Sequence, residues 1–542
     1  MRKFTIVALS VLVAGSAAAS ENAVRVPVRE AGSVSEICKG MRLAKAPEAG
    51  EVIYEAPEGE ESLVVRDCDG FTTESFEEAT HSQILGSLMR MVETPDGDVY
   101  LNHISSEYPL YTWVKCNRDG DKLVIKCPQT INMDYDYDTD EEFPVYIVPM
   151  KVVIDEGERG TFVIADDMDY TFDINADGSM TSSDPEILLG VCVYAESETG
   201  ESAWRWVGFG DLDQKLRPAS DRPVEIPSGL AIEKWVFTDE YTHTLVSVGF
   251  DGDDLYVQGM NRSIPEAWVK GHVEGDKVVF PSGQYLGPDY DVYYNSFFCG
   301  ASFTYEENED DPDGEGIRYS TMEKESVFKY DSEAKTLKSE VGYIINSTAD
   351  KLFPLYSYEW VNICAQNRNP DSPPANPYDV EISEGYEGAT DIWFQLPNTD
   401  IDGNLLDEGS LYYEILVNEE PLNFTLYFED EELESTRVPY AYSDFYDIWV
   451  EGEDHTVYVY AGSDKEYRVR SVYINEKGET LYSAAVGDGN SDGVAGIAAD
   501  EIESEAWYDM QGRRVVKPAS GMAIRVATLK DGRIVRNKLI MK

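Results

Sequence analysis

A twelve-residue stretch, 173–184, carries oxygen-bearing side chains at the spacing of a calcium-binding loop. Gly178 stands at its sixth position, where calcium loops make a sharp turn. The candidate metal ligands, at its first, third, fifth and twelfth positions, are Asp173, Asn175, Asp177 and Asp184. Carboxylate and amide oxygens at these positions are ligands that Ca²⁺ prefers. By pattern alone, this is the best metal site in the chain.

A hairpin turn is the competing interpretation of the same residues. Calcium loops of this type lie between helices, whereas this stretch follows the strand-like sequence Tyr170-Thr171-Phe172. This part of the chain is repeated about 155 residues further on, so the sequence holds two copies of it. In the second copy, Lys329 replaces Asp173 and Ala334 replaces Gly178, while the surrounding strand pattern persists. We therefore expect a β-hairpin turn and no cofactor, with calcium as the alternative.

Two acidic, tyrosine-rich stretches, 133–142 and 288–294, occupy equivalent places in the two copies. Tyrosine rings can stack on sugar rings while neighbouring carboxylates accept hydrogen bonds from hydroxyl groups. The candidate ligand-binding residues are Tyr135, Tyr137, Tyr290, Tyr293 and Tyr294. The alternative is that both stretches are solvated connecting loops.

No combination of residues in the sequence defines a catalytic site. The five histidines are scattered and form no H-E-x-x-H pattern, so zinc-protease chemistry has no support. Residues 489–493 match the G-x-S-x-G nucleophile elbow but lack the preceding strand and the following helix that this motif needs. Among 103 acidic residues, sequence alone does not identify a carboxylate pair for glycoside hydrolysis. We assign no catalytic residue.

The seven cysteines, an odd number, leave at least one thiol without an intramolecular partner. Cys116 and Cys127 flank a predicted Asp119-Gly120 hairpin turn, which would place Cys116 opposite Leu123. Cys127 would then lie four residues further along the strand, about 13 Å away. We therefore expect these two thiols to remain unbonded.

An internal repeat defines the elements that must position these residues. Residues 113–124 recur as 268–279 with seven of twelve positions identical. Within each copy, short runs rich in β-formers end at Asp-Gly or Glu-Gly turns, a spacing too short for intervening helices. We predict an all-β chain with two homologous antiparallel β-meander domains. Periodicity leaves sandwich, barrel and propeller open, and we favour a sandwich or barrel.

The pattern changes after the proline-rich segment 373–377, which is typical of a stiff linker. Alternating strands then follow, including 391–396, 411–417, 456–460 and 467–473. This region resembles a divergent fibronectin type III module, which implies a β-sandwich. The predicted segments are 1–19 signal peptide, 20–218 and 225–370 repeat domains, 375–486 fibronectin-like domain, 487–505 linker and 506–542 C-terminal domain.

Both ends of the chain carry targeting patterns. A basic Arg2-Lys3 pair, an apolar run from Phe4 to Val13 and the small residues Ala17-Ala18-Ala19 form a secretory signal. The tail has a Tyr-Asp-x-x-Gly-Arg start at Tyr508, a central Gly-x-x-Ile at Gly521, and a terminal Lys-Leu-Ile. This tail resembles the C-terminal sorting domain of the type IX secretion system of Gram-negative bacteria. The resemblance implies export across the outer membrane and the secretion machinery as a partner. A basic hairpin packed on an acidic body is the alternative.

Charge and hydropathy restrict the classes of function. The net charge of −59 excludes nucleic-acid binding, because a polyanion would be repelled. After the signal, no apolar run is long enough to span a bilayer, so we expect no transmembrane segment in the mature chain. We predict a secreted or surface-displayed bacterial protein, non-catalytic, that binds a glycan or another surface polymer. The alternatives are a secreted glycoside hydrolase or protease and a structural surface component.

Overall fold

The protein is described from a computed structural model. It covers residues 42–43, 45–46, 49–75, 78–106, 108, 112–136, 141–154, 160–196, 202–306, 317–385, 388–428, 432–444, 446–462, 465–488, 502–508, 514–515, 521–529 and 534–541. Nearly all regular structure there is β-strand, which confirms the predicted all-β class; a 3₁₀ turn occupies Glu408–Ser410. The chain divides into two compact units, unit 1 (Met1–Ala365) and unit 2 (Gln366–Lys542).

The first repeat is built from thirteen described strands. They are β1 (Arg42–Leu43), β2 (Glu60–Ser75), β3 (Glu78–Glu93), β4 (Val99–Asn102), β5 (Trp113–Asp119), β6 (Lys122–Lys126), β7 (Gln129–Asp136), β8 (Glu141–Ile154), β9 (Gly160–Ile164), β10 (Asp169–Ile174), β11 (Met180–Ser182), β12 (Ile187–Glu196) and β13 (Ser202–Pro218). Eight of them pair in the order β2-β3-β4-β5-β6-β10-β11-β13, and β13 pairs back onto β2. This closed antiparallel barrel is called ring 1.

The second repeat closes in the same way. Its strands are β14 (Ile232–Thr238), β15 (His243–Asp251), β16 (Asp254–Gln258), β17 (Trp268–Glu274), β18 (Lys277–Pro281), β19 (Gln284–Asp289), β20 (Tyr294–Glu306), β21 (Ile317–Met322), β22 (Glu325–Asp331), β23 (Thr336–Asn346), β24 (Pro354–Tyr358) and β25 (Asn362–Ala365). Ring 2 has the order β14-β15-β16-β17-β18-β22-β23-β25, and β25 pairs back onto β14. Of the architectures left open by the sequence, the repeats adopt the barrel.

Strand registers show that the two rings are copies of one fold. Tyr100 lies opposite Lys115 in ring 1, and Tyr256 lies opposite Lys270 in ring 2. The β5–β6 hairpin closes at Asp119 opposite Lys122, and the β17–β18 hairpin closes at the equivalent pair, Glu274 opposite Lys277. Each ring also carries a side sheet, β7-β8-β12 in the first repeat and β19-β20-β23-β24 in the second.

The register of the β5–β6 hairpin corrects one expectation. Its two-residue loop is Gly120-Asp121 rather than Asp119-Gly120, so Cys116 lies opposite Ile125 and not opposite Leu123. Gly120 has φ of +64° and stands at the first central position, as a type II′ turn requires. The thiols of Cys116 and Cys127 are nevertheless free, as predicted.

Alternating apolar residues fill each ring. Strand β6 has Leu123 and Ile125 buried between exposed Lys122 and Lys126, and β18 repeats this pattern with Val278 and Phe280. Burying each such side chain stabilises the fold by about 1.5–3 kcal/mol. The rings therefore each have a hydrophobic core of their own.

Unit 2 contains a β-sandwich. Its strands are β26 (Tyr378–Glu384), β27 (Thr390–Gln395), β28 (Leu411–Val417), β29 (Glu420–Pro421), β30 (Phe424–Tyr427), β31 (Glu432–Ser435), β32 (Val438–Pro439), β33 (Ile448–Glu451), β34 (Asp454–Val459), β35 (Tyr467–Ile474), β36 (Thr480–Tyr482) and β37 (Val486–Gly487). One sheet has the order β26-β27-β34-β33, and the other is built on β29-β28-β35-β36. Phe394, Tyr413 and Val469 lie in the core between them.

The proline-rich segment 373–377, interpreted from the sequence as a linker, is hydrogen-bonded within unit 2. The Ala375 amide donates to the Thr399 carbonyl at 2.8 Å, and the Ser471 hydroxyl donates to the Ala375 carbonyl at 2.6 Å. The tail forms a four-stranded antiparallel sheet in the order β39-β38-β40-β41, from β38 (Ile502–Tyr508), β39 (Arg514–Val515), β40 (Gly521–Leu529) and β41 (Ile534–Met541). Strand β40 begins at Gly521.

Candidate functional site

The calcium-like stretch forms the hairpin between β10 and β11. The Asn175 amide donates to the Ser179 carbonyl at 2.8 Å, and Gly178 takes the left-handed φ of +82° that the turn needs. The Asp177 carboxylate accepts a hydrogen bond from the Ser179 hydroxyl at 2.7 Å. Two of the four candidate ligands, Asn175 and Asp177, thus hold the turn together.

The two other candidates are also engaged within ring 1. Asp173 Oδ1 accepts from the Ser183 hydroxyl at 2.9 Å and lies 3.3 Å from the Lys122 ammonium on the neighbouring strand. This hydrogen bond and this charge lower the pKa of Asp173. Asp184 Oδ1 accepts from the Glu186 amide at 3.0 Å. Within the described residues, no group of three or more His, Cys, Asp or Glu side chains is placed to hold a metal ion.

The tyrosine candidates are divided between two places. Tyr135 lies half-buried on β7, opposite Glu142, and Tyr137 falls outside the described residues. Tyr290 and Tyr293 stand at the two ends of the four-residue turn between β19 and β20, with ring centroids 6.3 Å apart. The Tyr290 side chain is 52% exposed.

Two of these tyrosines, both in the second repeat, contact residues of the first repeat. The Tyr293 ring stacks on the buried His103 ring of the first repeat, with centroids 4.3 Å and planes 10° apart. Its carbonyl accepts a hydrogen bond from the Leu88 amide at 2.7 Å. Tyr294 pairs with Ser87 and stacks on Phe353 at 5.4 Å. The second tyrosine stretch therefore joins the two repeats, and we call this contact the seam.

A buried ion pair supports the first-repeat side of the seam. Arg66 is fully buried and lies 3.5 Å from the Asp211 carboxylate. Its Nε donates to the Ser87 hydroxyl at 3.0 Å and its Nη1 to the Ile104 carbonyl at 2.9 Å. Asp211 also accepts a hydrogen bond from the Ser106 amide at 2.9 Å. Arg66 thus positions the 103–106 segment that carries His103.

The same surface cluster occurs once in each ring. In ring 1, the Lys115 ammonium lies 2.5 Å from the Asp98 carboxylate and 5.9 Å from the centre of the Tyr100 ring. The equivalent Lys270 of ring 2 lies 2.7 Å from Asp254 and 5.5 Å from the centre of the Tyr256 ring. Hydrogen bonding to the carboxylate raises the pKa of each lysine. The retained geometry identifies equivalent positions in the two rings.

Four aromatic side chains face outward on one sheet of unit 2, β26-β27-β34-β33. On β27, Ile392 and Phe394 point into the core, so Asp391 and Trp393 point outward. The same alternation on β34 and β33 turns Thr456, Tyr458 and Trp449 outward. We define the aromatic face by four residues, Trp393, Trp449, Tyr458 and Tyr460.

Cross-strand registers fix the geometry of the aromatic face. Trp393 and Trp449 both lie opposite Thr456, one on each side of it, so the three residues form one row across three strands. Adjacent strands are about 4.8 Å apart, which separates the Cα atoms of the two tryptophans by about 10 Å. The Tyr458 ring packs edge-on against the Trp449 ring at 5.1 Å and 85°.

The aromatic face also presents polar groups. Trp449 is 41% exposed and Tyr460 is 66% exposed, and the Tyr460 hydroxyl donates to Asp447 Oδ1 at 3.2 Å. Asp391 lies opposite Tyr458, and its buried Oδ1 accepts no hydrogen bond from the described residues. Burial raises the pKa of the Asp391 carboxyl. The surface therefore combines stackable rings with hydrogen-bonding groups.

The sequence predicts the strand that holds Trp393, but Trp393 is not among the ligand-binding residues predicted from it. The signal was present in the alternation of 391–396, because Trp393 is out of phase with Ile392 and Phe394. The row with Trp449 could not be seen, since it depends on the pairing of β27 and β33 with β34.

In comparisons with protein-family models, curated proteins and solved structures, nothing matches this chain. The described part of the chain contains no helix with the length and hydropathy needed to cross a bilayer.

Proposed function

We propose that the protein is an extracellular, surface-displayed or secreted bacterial protein that binds a glycan without cleaving it. The observation that carries this proposal is the aromatic face, on which Trp393 and Trp449 lie in one row across three strands. Aromatic rings stack on the apolar faces of sugar rings, and nearby polar groups accept hydrogen bonds from hydroxyls. Ser383 and Thr456 supply such groups beside the rings.

The test is binding of the full mature chain to a panel of polysaccharides and oligosaccharides. We expect retention on at least one class of glycan, with no new reducing ends after prolonged incubation. Absence of binding across the panel would overturn the proposal. Release of reducing ends would replace it with the glycoside hydrolase alternative.

The export route is a separate part of the proposal and rests on the resemblance of residues 506–542 to a type IX sorting domain. Removal of this segment should leave the protein in the periplasm of its host, whereas the full chain should reach the surface or the medium. Fractionation and immunoblotting measure this difference. Normal export of the truncated chain would refute the sorting assignment.

A further inference from the structure

We propose that the aromatic face binds a linear, neutral, β-1,4-linked polysaccharide that runs across the strands, with alternate sugars stacked on Trp393 and Trp449. This inference rests on the proposed function, and it adds the class of ligand, the direction of the chain and the two contact residues. It follows from the distance between the two tryptophans, from the packing of their side chains and from the negative charge around them.

The spacing of the two tryptophans sets the repeat of the ligand. Their Cα atoms are two strand spacings apart, about 10 Å, because both residues lie opposite Thr456. In an extended β-1,4-linked chain, every second sugar presents the same face to one side at a repeat close to this distance. A chain lying along the row can therefore place one sugar on each ring.

A neighbouring side chain supports the Trp449 ring. Tyr458 packs edge-on against Trp449, so it supports this indole ring rather than extending the stacking surface. Trp393 is half-buried between its neighbours on the sheet. Side chains whose rotamers are held before binding lose little conformational entropy when a ligand arrives. The two indole rings are therefore the main stacking surfaces.

The middle sugar, which lies above Thr456, would present to the sheet the ring face opposite to that of its two neighbours. Between the two tryptophans, the row presents only the small Thr456 side chain, which leaves room for the intervening sugar and offers it a hydroxyl. Asp391, in the adjacent row, has a carboxylate oxygen with no hydrogen-bond donor among the described residues.

Charge decides between neutral and acidic glycans. The row across the sheet begins at the exposed Glu381, opposite Trp393, and Trp449 is followed two residues later by the exposed Glu451. Asp391 and Asp454 lie on the same face, and the whole chain carries a net charge of −59. A uronate or sulfated polysaccharide would be repelled along its length, so the ligand is uncharged.

The test measures affinity against chain length with β-1,4-linked glucose and N-acetylglucosamine oligosaccharides, by calorimetry on the full mature chain. Three sugars are needed to cover both rings, so a trisaccharide should bind about tenfold more tightly than a disaccharide. Trp393→Ala and Trp449→Ala should each lower trisaccharide affinity about tenfold, and Trp393→Phe should retain most of it. Trp360→Ala, which removes an exposed tryptophan of unit 1, is the matched control.

The outcomes separate the inference from the proposed function. If the wild type binds a glycan but neither tryptophan variant weakens binding, or if a disaccharide binds as tightly as a trisaccharide, this inference is wrong and the proposed function stands. Preference for alginate or for helical amylose over the β-1,4-linked probes would also overturn it. If no glycan binds, the proposed function itself has failed. Circular dichroism of each variant excludes unfolding as the cause.

Discussion

The rings of His103 and Tyr293 stack face to face at 4.3 Å although the two residues belong to different repeats. Both residues take a left-handed backbone conformation, with φ of +56° and +58°, which non-glycine residues rarely adopt. The stacked pair therefore depends on the exact course of two turns. It makes Tyr293, whose sequence also fits a solvated connecting loop, part of the seam.

The seam predicts an acid sensitivity carried by His103. Burial and the nearby Arg66 charge lower the pKa of His103 from 6.5 to about 3. The unfolded chain therefore binds one more proton between these values, so His103 reduces stability as pH falls below about 6.5, and this loss levels off below about 3. At pH 5 the contribution is about 2 kcal/mol relative to neutral pH.

Urea unfolding at pH 7 and pH 5 measures this contribution. His103→Phe retains an aromatic ring and should reduce the difference in unfolding free energy between the two pH values by about 2 kcal/mol. His243→Phe, which replaces an exposed histidine, is the control for loss of an imidazole. An unchanged pH dependence in His103→Phe would show that the His103 site is solvated in the folded protein.

Close packing at the seam predicts a large effect of one added methyl group. A Cβ on Gly86 would overlap the backbone carbonyl oxygen of Ser347, which belongs to the other repeat. Gly97 has a similarly positive φ, +86°, and open space around it. Gly97→Ala should cost about 1 kcal/mol for backbone strain alone, and Gly86→Ala about 3 kcal/mol or more. Calorimetry of both variants measures the difference, and equal losses would mean that the two repeats do not touch at Gly86.

The buried Arg66–Asp211 pair predicts that removing a buried cation costs more free energy of unfolding than removing an exposed one. Arg66→Met should destabilise unit 1 by about 3–5 kcal/mol, because it leaves the Asp211 carboxylate buried without its cation. Lys277→Met removes the exposed ion pair with Glu340 and should cost less than about 1 kcal/mol. Thermal unfolding of the two variants gives the comparison. A loss of under 1 kcal/mol in Arg66→Met would indicate that water reaches this site.

The sequence predicts local features of the fold, but it does not predict the pairing of distant strands that closes each ring. The repeat at 113–124 and 268–279 predicts equivalent strands, and the hairpin interpretation of 173–184 agrees with the turn seen between β10 and β11. Alternation is the same for a strand in a barrel or a sandwich, so the pairing of β13 with β2 that closes ring 1 leaves no local signal.

One wrong prediction and one contact missed from the sequence have physical reasons. The sequence Asp119-Gly120-Asp121 fits two hairpin loops, and only the positive φ of Gly120 at the first central position selects the observed one. The contact between Tyr293 and His103 joins residues far apart in the chain, so no spacing rule could reveal it. For the same reason, the row of Trp393 and Trp449 required the paired sheet.

The duplicated rings predict that one glutamine in each copy contributes equally and independently to the free energy of unfolding. The pairing of β5 with β6 ends at Cys116 opposite Ile125. At the next residue of β5, Lys115, the backbone is hydrogen-bonded by the Gln129 side chain instead of by β6. Its Oε1 accepts from the Lys115 amide at 2.9 Å and its Nε2 donates to the Lys115 carbonyl at 2.7 Å. Gln284 makes the same two bonds to Lys270, at 2.8 and 2.9 Å.

Replacing either side chain by a carboxylate of the same shape should therefore destabilise its own ring. Gln129→Glu and Gln284→Glu each lose the donor to a strand carbonyl and should cost about 1–3 kcal/mol. Because the two sites lie in separate rings with separate cores, the double variant should lose the sum within about 0.5 kcal/mol. Gln258→Glu, which removes one exposed hydrogen bond to Glu266, is the control. Calorimetry of the four variants decides the point, since a strongly non-additive double variant would mean that the two glutamine sites are energetically coupled.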